Sequence, residues 1–306
     1  RRLDTIGLPD GREASGLLML EASFTQGFPD VYLLAVSWAA GGAAEEIARN
    51  HPGAVIARLS AGGERGILYD GVHDPRLRRA LLEMFTGRRR IRTGRGELGA
   101  HPGKNFRTLA GATAAAAGSS VYRAQPSGTS IVYGGRLFLK LCRRLEEGID
   151  PDAEMASVLG EKLKFPGVPP FAGTIEYTRA GAQPVTVGLM QGYVESGGEG
   201  SKYALDAATD FFEAVLARKD LLDGGPPPAP ASFAEADAAA VPWNVIEVIG
   251  GVYLEMMSIL GKRTAEMHAA LAAVGDDPAF EPEPYTTLYQ RSVFQSVRIS
   301  LRRAMQ

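Results

Sequence analysis

The chain has a single cysteine, Cys142, and only four histidines in 306 residues. One cysteine makes no internal disulfide, and no Cys/His cluster has the spacing of a zinc site. No uncharged apolar run reaches the roughly 18 residues that a membrane span needs. A secretory signal is not expected, although the chain begins at Arg1 rather than Met, as a fragment or a processed chain does. Without disulfides, membrane span or signal, the expected address is cytoplasmic. Excess charge is missing too. The 33 basic residues face 35 acidic ones, a net of −2, which argues against a nucleic-acid partner. Apolar residues are not scarce, however: 45% hydrophobic against 22% charged excludes a disordered chain. At roughly 150 residues per domain, the length suggests two domains or three small ones.

What is present reads first as strands. Leu17–Leu20 and Val31–Val36 flank a turn at Gln26-Gly27, the pattern of a hairpin. A helix over 43–49 ends at His51-Pro52-Gly53, and strands over 54–59 and 66–69 are joined by Gly62-Gly63. Asp74-Pro75 starts a helix with apolar positions Leu77, Leu81, Leu82 and Phe85. Residues 1–95 are therefore expected to form a small α+β domain. Arg88–Arg90, Arg92 and Arg95 form the one dense basic run, either a phosphate-contacting patch or, the preferred reading, a solvated helix end. Residues 113–120, rich in Ala and Gly, read as a loop within a stretch of strands from 107 to 141.

Gly134-Gly135 between Ile131-Val132-Tyr133 and Leu137–Leu141 signals a tight hairpin. Asp150 suits an N-cap, Pro151 the first helical position, and Asp152 and Glu154 the first turn. Met155, Val158 and Leu159 form the apolar stripe of that helix. Strands over 175–177 and 185–189 follow, then helices over 205–222 and 243–271. Between those helices, Gly224-Gly225-Pro226-Pro227-Pro228 predicts a loop over 223–240, since proline supplies no N–H donor. The domains expected are 1–95, 96–200 (β-rich) and 201–306 (helical).

The chemistry gathers between 125 and 195. Ser127-Gly128-Thr129-Ser130 is a small polar loop whose N–H groups and hydroxyls suit phosphate oxygens. On the returning strand Leu137, Leu139 and Leu141 face one way, and Phe138, Lys140 and Cys142 the other. A lysine within an apolar strand calls for an anionic partner. Glu154, fourteen residues on, fits the role of the helix glutamate that holds a kinase's strand lysine. Lys140 could instead snorkel from an edge strand, and Glu154 could serve only the helix dipole. Gln191-Gly192-Tyr193-Val194 stands where a hinge between two kinase lobes would bind an adenine edge, or is an ordinary strand-to-helix loop.

The run from Ser127 to Leu141, with its core Tyr133-Gly134-Gly135-Arg136-Leu137-Phe138-Leu139-Lys140, resembles the nucleotide-binding hairpin of bacterial maltokinases. The resemblance continues over 143–154, Val168–Gly173, Leu260–His268, Leu288–Ser292 and His51–Leu59, and so covers nearly the whole chain. It is closest to the maltokinase half of trehalose synthase/maltokinase fusions. It implies an α+β, protein-kinase-like fold related to aminoglycoside phosphotransferases, with 1–95 as a cap domain on a nucleotide lobe and 201–306 as the first helices of the next lobe. It also implies phosphorylation of maltose by ATP, with Mg²⁺, to maltose 1-phosphate in trehalose and α-glucan metabolism. Position by position, Lys140 would contact the ATP phosphates and Glu154 would position it. Ser127, Thr129 and Ser130 would line the phosphate loop, and Gln191 and Tyr193 the adenine hinge.

Two departures stand out. Gly128 replaces the family's usual asparagine. The family's catalytic His-Gly-Asp-x-His-Leu-Gly-Gln and metal-binding Asp-Phe-Glu-Gly motifs are absent, and none of His51, His73, His101 and His268 is followed by Gly-Asp. Catalytic and metal-binding residues are therefore expected beyond Gln306, and the chain alone is expected to be inactive. His268, on a helical stripe, reads as a packing residue. The alternatives are a non-catalytic module that docks to or regulates a trehalose synthase, and a kinase of another sugar.

Overall fold

The computed structural model describes residues 1–8, 15–111, 118–125, 128–218, 246 and 248–305. Of the loop expected over 113–120, residues 113–117 lie outside the described residues, while Ser119 and Ser120 already belong to a strand; the loop expected over 223–240 and Ser127 lie outside the described residues as well. The chain falls into two compact units, Arg1–Glu199 and Gly200–Gln306.

The described residues of the first unit form two antiparallel sheets with helices, an α+β arrangement. The first sheet contains β1 (Arg2–Gly7), β2 (Ser15–Ala22), β3 (Asp30–Ala40), β4 (Val55–Ala61) and β5 (Glu64–Asp70), in the order β1-β2-β3-β5-β4. The second contains β6 (Arg90–Arg92), β7 (Glu97–Pro102), β8 (Ser119–Gln125), β9 (Gly128–Tyr133), β10 (Leu137–Cys142), β12 (Phe171–Thr178) and β13 (Val185–Gly192), in the order β6-β7-β12-β13-β10-β9-β8. The short β11 (Arg144–Leu145) follows β10 directly but pairs with β3 of the first sheet. The helices are α1 (Gly41–Asn50), α2 (Pro75–Gly87), α3 (Phe106–Ala110) and α4 (Pro151–Ser157), the last running on into a π-helical turn over Val158–Lys162.

The turns form where the sequence supplies the right backbone. Gly134 and Gly135 both take positive φ, 57° and 64°, which a tight hairpin between β9 and β10 requires. Asp74 caps α2 by accepting from the Arg76 N–H, and Asp150 caps α4 by accepting from the Ala153 N–H at 2.9 Å. The stretch from 107 to 141 is not all strand, since Phe106–Ala110 closes into the one-turn α3. In α4 the buried positions are Ala153 and Ala156 rather than Met155, because the helix lies close on its sheet and only small side chains fit beneath it.

One hydrophobic core serves both sheets. It joins Ile6, Leu17 and Leu33 of the first to Leu81 and Phe85 of α2 and to Leu98, Ile131, Leu139 and Ile175 of the second. The boundary expected at residue 95 falls inside this core: β6 precedes it yet belongs to the second sheet, and β11 follows it yet belongs to the first. Three polar contacts stitch the sheets where hydrophobic packing ends. Tyr177 and Thr93 both donate to Asp4 Oδ2. Burial alone would raise the Asp4 carboxyl, but these hydroxyls, the Thr5 N–H and the charge of Arg95 outweigh it and hold it below the ordinary value. Arg78, almost wholly buried, spends its guanidinium on Val72 O (2.7 Å), Ser119 Oγ (2.9 Å) and Ser119 O (3.0 Å). Arg143 Nη2 meets Asp70 Oδ2 at 2.5 Å and its Nε meets Thr129 Oγ1 at 3.0 Å.

Within the basic run, Arg90 and Arg92 each pair with Glu97 at 3.0 Å, Arg89 pairs with Glu83 at 3.5 Å, and Arg88 caps α2. In the second unit the described helices are α5 (Gly200–Ala217), α6 (Gly251–Ala272) and α7 (Thr287–Ala304), the last capped by Thr286, whose Oγ1 accepts from the Tyr289 N–H.

Two measurements test this packing. Gly173 has φ +140°, and a Cβ there would stand 2.4 Å from His101 O, a backbone atom that cannot swing aside. Gly173→Ala should cost about 2–4 kcal/mol in denaturant unfolding; a loss under about 0.5 kcal/mol would contradict the close approach of β7 and β12. His73 lies against His51 with ring centroids 4.4 Å apart and the rings tilted by 33°. Burial, then the His51, Arg78 and Arg143 charges, outweigh Asp70 and push the His73 imidazole below its ordinary 6.5. Its contribution to stability is thus complete above that value and lost as pH falls through the lower folded one. In calorimetry the melting midpoint should drop as pH falls below the ordinary imidazole value of about 6.5, and His73→Gln should flatten that drop.

Candidate functional site

The alternation of β10 divides the second sheet into a core face and an outer face. Leu137, Leu139 and Leu141 are at most 1% exposed, while Phe138, Lys140 and Cys142 lie on the other side. The register sets Lys140 opposite Ser130 of β9 and Leu189 of β13, and Phe138 opposite Val132 and Gln191. Directly paired residues share a face, so Ser130, Phe138, Lys140 and Gln191 all stand on the outer side. Helix α4 covers part of that face, with Ala153 and Ala156 packed on Phe171 and Leu189.

Lys140 Nζ reaches Asp152 Oδ2 at 2.5 Å. That hydrogen bond raises the ammonium's pKa, against the pull of burial, and the charges of Asp152, Cys142 and Asp150 add to it. The partner expected from the sequence was Glu154. Residues two apart on an α-helix point about 200° away from each other, and it is Asp152 that faces the strand. Glu154 instead lines a cleft of about 310 Å³ with Ser157, Phe171, Thr174, Glu176 and Thr186. Burial, then the neighbouring Asp150 carboxylate, push the Cys142 thiol up to about 11, so it stays protonated at neutral pH and is no nucleophile.

The small polar loop divides in the same way. Ser130 faces outward beside Lys140. Thr129, paired with Leu141 and 1% exposed, turns its hydroxyl inward to Arg143, so that hydroxyl is not free for a phosphate. Gly128 has a reason to lack a side chain. A Cβ there would lie 2.9 Å from Leu141 O and 3.6 Å from the Lys140 stem, the space an asparagine would need.

At the other end of the outer face three aromatic rings gather. Tyr122 stands edge-on to Phe138 (6.0 Å between centroids) and to Tyr193 (6.3 Å). The Gly192 N–H donates to Pro170 O and the Tyr193 N–H to Arg136 O, both at 2.8 Å, so neither backbone donor is free for an adenine edge. The sequence reading missed Asp152, Tyr122 and Phe138. An acid at the second helical position gave a signal for the first; the other two meet only through strand pairing. No group of three or more His, Cys, Asp or Glu placed to hold a metal ion occurs among the described residues.

No family model matches the sequence. The chain is similar to solved structures of glucosamine kinase. One, in complex with glucosamine, ADP and inorganic phosphate, gives a TM-score of 0.39 at 18% identity over 85% of this chain and 47% of that one. Another, a second crystal form, gives 0.38 at 18% identity over 89% of this chain and 46% of that one. This chain thus spans about half the length of those proteins.

The pairing at Lys140 is open to a double-mutant cycle in thermal unfolding. Lys140→Ala with Asp152→Asn should show a coupling of about 0.2–1 kcal/mol, the scale of a part-exposed ion pair. The same cycle with Glu154→Gln should be additive. Coupling to Glu154 and not to Asp152 would reverse the assignment.

Proposed function

We propose that the outer face of the second sheet is the nucleotide site of an ATP-dependent sugar kinase with a protein-kinase-like fold, and that its acceptor is maltose, giving maltose 1-phosphate. The observation that carries the nucleotide reading is Lys140. It stands at the centre of a sheet face, held by Asp152, with Ser130 opposite and three aromatic rings at the far end. Phe138 and Lys140 lie two residues apart, about 7 Å along the strand. That spacing suits a ligand with a flat aromatic end and an anionic end. The maltose reading rests on the sequence resemblance alone.

ATP, when bound, supplies the phosphoryl group to be transferred. On this reading Lys140 and Ser130 hold its phosphates, and Asp152 keeps the lysine extended. Tyr122, Phe138 and Tyr193, flanked by Gln191, take the purine by stacking, because the Gly192 and Tyr193 N–H groups are already used. In the same proposal residues 1–95 cap the nucleotide lobe (96–200) while sharing its core, and 201–306 are the first helices of a second lobe. A cytoplasmic setting and a trehalose synthase partner belong to it too. The catalytic base and the Mg²⁺ ligands are proposed to come from outside these 306 residues, whose sequence contains neither family motif.

Titration calorimetry with ADP tests the reading on the chain itself. Binding should be measurable, and Lys140→Ala should weaken it about 10- to 150-fold, the range for losing a hydrogen bond to a charged group. ATP with maltose should release no more ADP than ATP alone. Failure to bind ADP at millimolar concentration sinks the nucleotide site, and maltose-dependent turnover sinks the claim that the catalytic residues lie elsewhere.

A further inference from the structure

A cleft of about 790 Å³ lies between the C-terminal end of α2 and the one-turn α3, and it shares no residue with the proposed nucleotide face. Its floor is the stacked pair Phe85 and Phe106, ring centroids 5.5 Å apart. Among the described residues that line it none is acidic, although Glu161 lies behind Gly103, and three are basic: Arg88, Lys104 and Arg107. Lys104 pairs with Glu161 at 3.6 Å. Arg88 and Arg107, both exposed, have no carboxylate partner among the described residues.

The backbone at Arg88 adds a second, independent observation. Arg88 sits in the left-handed region (φ 47°, ψ 41°), a conformation that favours glycine. A glycine is immediately at hand in Gly87, yet it stays in the helix, where a Cβ would crowd Arg89 Cγ at 3.1 Å. The residue that ends α2 in the left-handed conformation is thus an arginine lining the cleft, at a position helices usually fill with glycine. Guanidinium groups match oxyanions through paired N–H donors, and the volume falls in the range of small-molecule sites, about 300–1,000 Å³, well beyond a bare phosphate. A nucleic acid fits poorly with a chain of net charge −2 whose other arginines nearby, Arg89, Arg90 and Arg92, are paired with glutamates.

We propose that this cleft is a second anion site, which takes the phosphate or pyrophosphate group of a small phosphorylated molecule between Arg88 and Arg107. The test is thermal unfolding with inorganic pyrophosphate as the probe, in a Lys140→Ala background that disables the proposed nucleotide face. Pyrophosphate should raise the melting midpoint there, and sodium chloride at equal ionic strength should not. Arg107→Ala should abolish the rise, with affinity falling at least about tenfold. Arg88→Gly should abolish it too, while melting at or above the parent without pyrophosphate, because glycine relieves the left-handed strain. That opposition of stability and binding separates a site from a fold defect. The proposal is overturned if both arginine variants keep the rise, if sodium chloride reproduces it, or if Lys140→Ala alone removes it.

Discussion

The contact on which the first unit depends is the guanidinium of Arg143, set between Asp70 of the first sheet and Thr129 of the second. Asp70 also accepts from the Val72 N–H, so this carboxylate sets the turn before α2 as well as the joint between sheets. Loss of either charge would leave its partner part-buried and unpaired, which costs more than the pair contributes. Next to it Arg78 secures the start of β8 through Ser119, and Tyr133 donates to the Arg78 carbonyl at 2.8 Å. The β9–β10 hairpin is thereby held near its open end through Thr129 and at its turn end through Tyr133.

Everything at the candidate nucleotide face follows from that pinning. With Thr129 turned inward and Leu141 in the core, the two-residue period leaves Ser130 and Lys140 no direction but outward. Helix α4, docked by two alanines, brings Asp152 to the lysine and sends Glu154 to a different cleft. The position of a single lysine is thus settled by an arginine three residues along the chain, through the register of one hairpin.

Local features were legible in the sequence because they depend on neighbours. Gly134-Gly135, Asp150-Pro151 and the Leu/Lys alternation of β10 each announce a turn, a cap or a face within a few residues. What the sequence hid depends on distant pairing. The choice between Asp152 and Glu154 turns on how a helix is rotated over its sheet, which capping residues do not fix. The inward hydroxyl of Thr129 depends on Arg143, fourteen positions away. Tyr122, Phe138 and Tyr193 come from three strands or their ends and carry no shared spacing. β6 crosses the expected boundary at residue 95 through a local hairpin with β7, whereas β11 joins β3 by pairing Arg144 with Tyr32, a separation at which composition gives no signal.

The short strand β11 bears on the order of events as the chain is synthesised. The first sheet begins at Arg2, but the strand that pairs along part of β3 is Arg144–Leu145. More than half of the first unit must therefore emerge before that sheet has its last partner. Until then the Asp30–Val31–Tyr32 stretch of β3 lacks its neighbour on that side, and the shared core lacks Met190 and the rest of β13. Contacts of such long sequence separation form late, and an incomplete sheet exposes unpaired strand edge while it waits. The first 95 residues are better seen as half of a structure that the remaining strands complete than as a module that folds ahead of them.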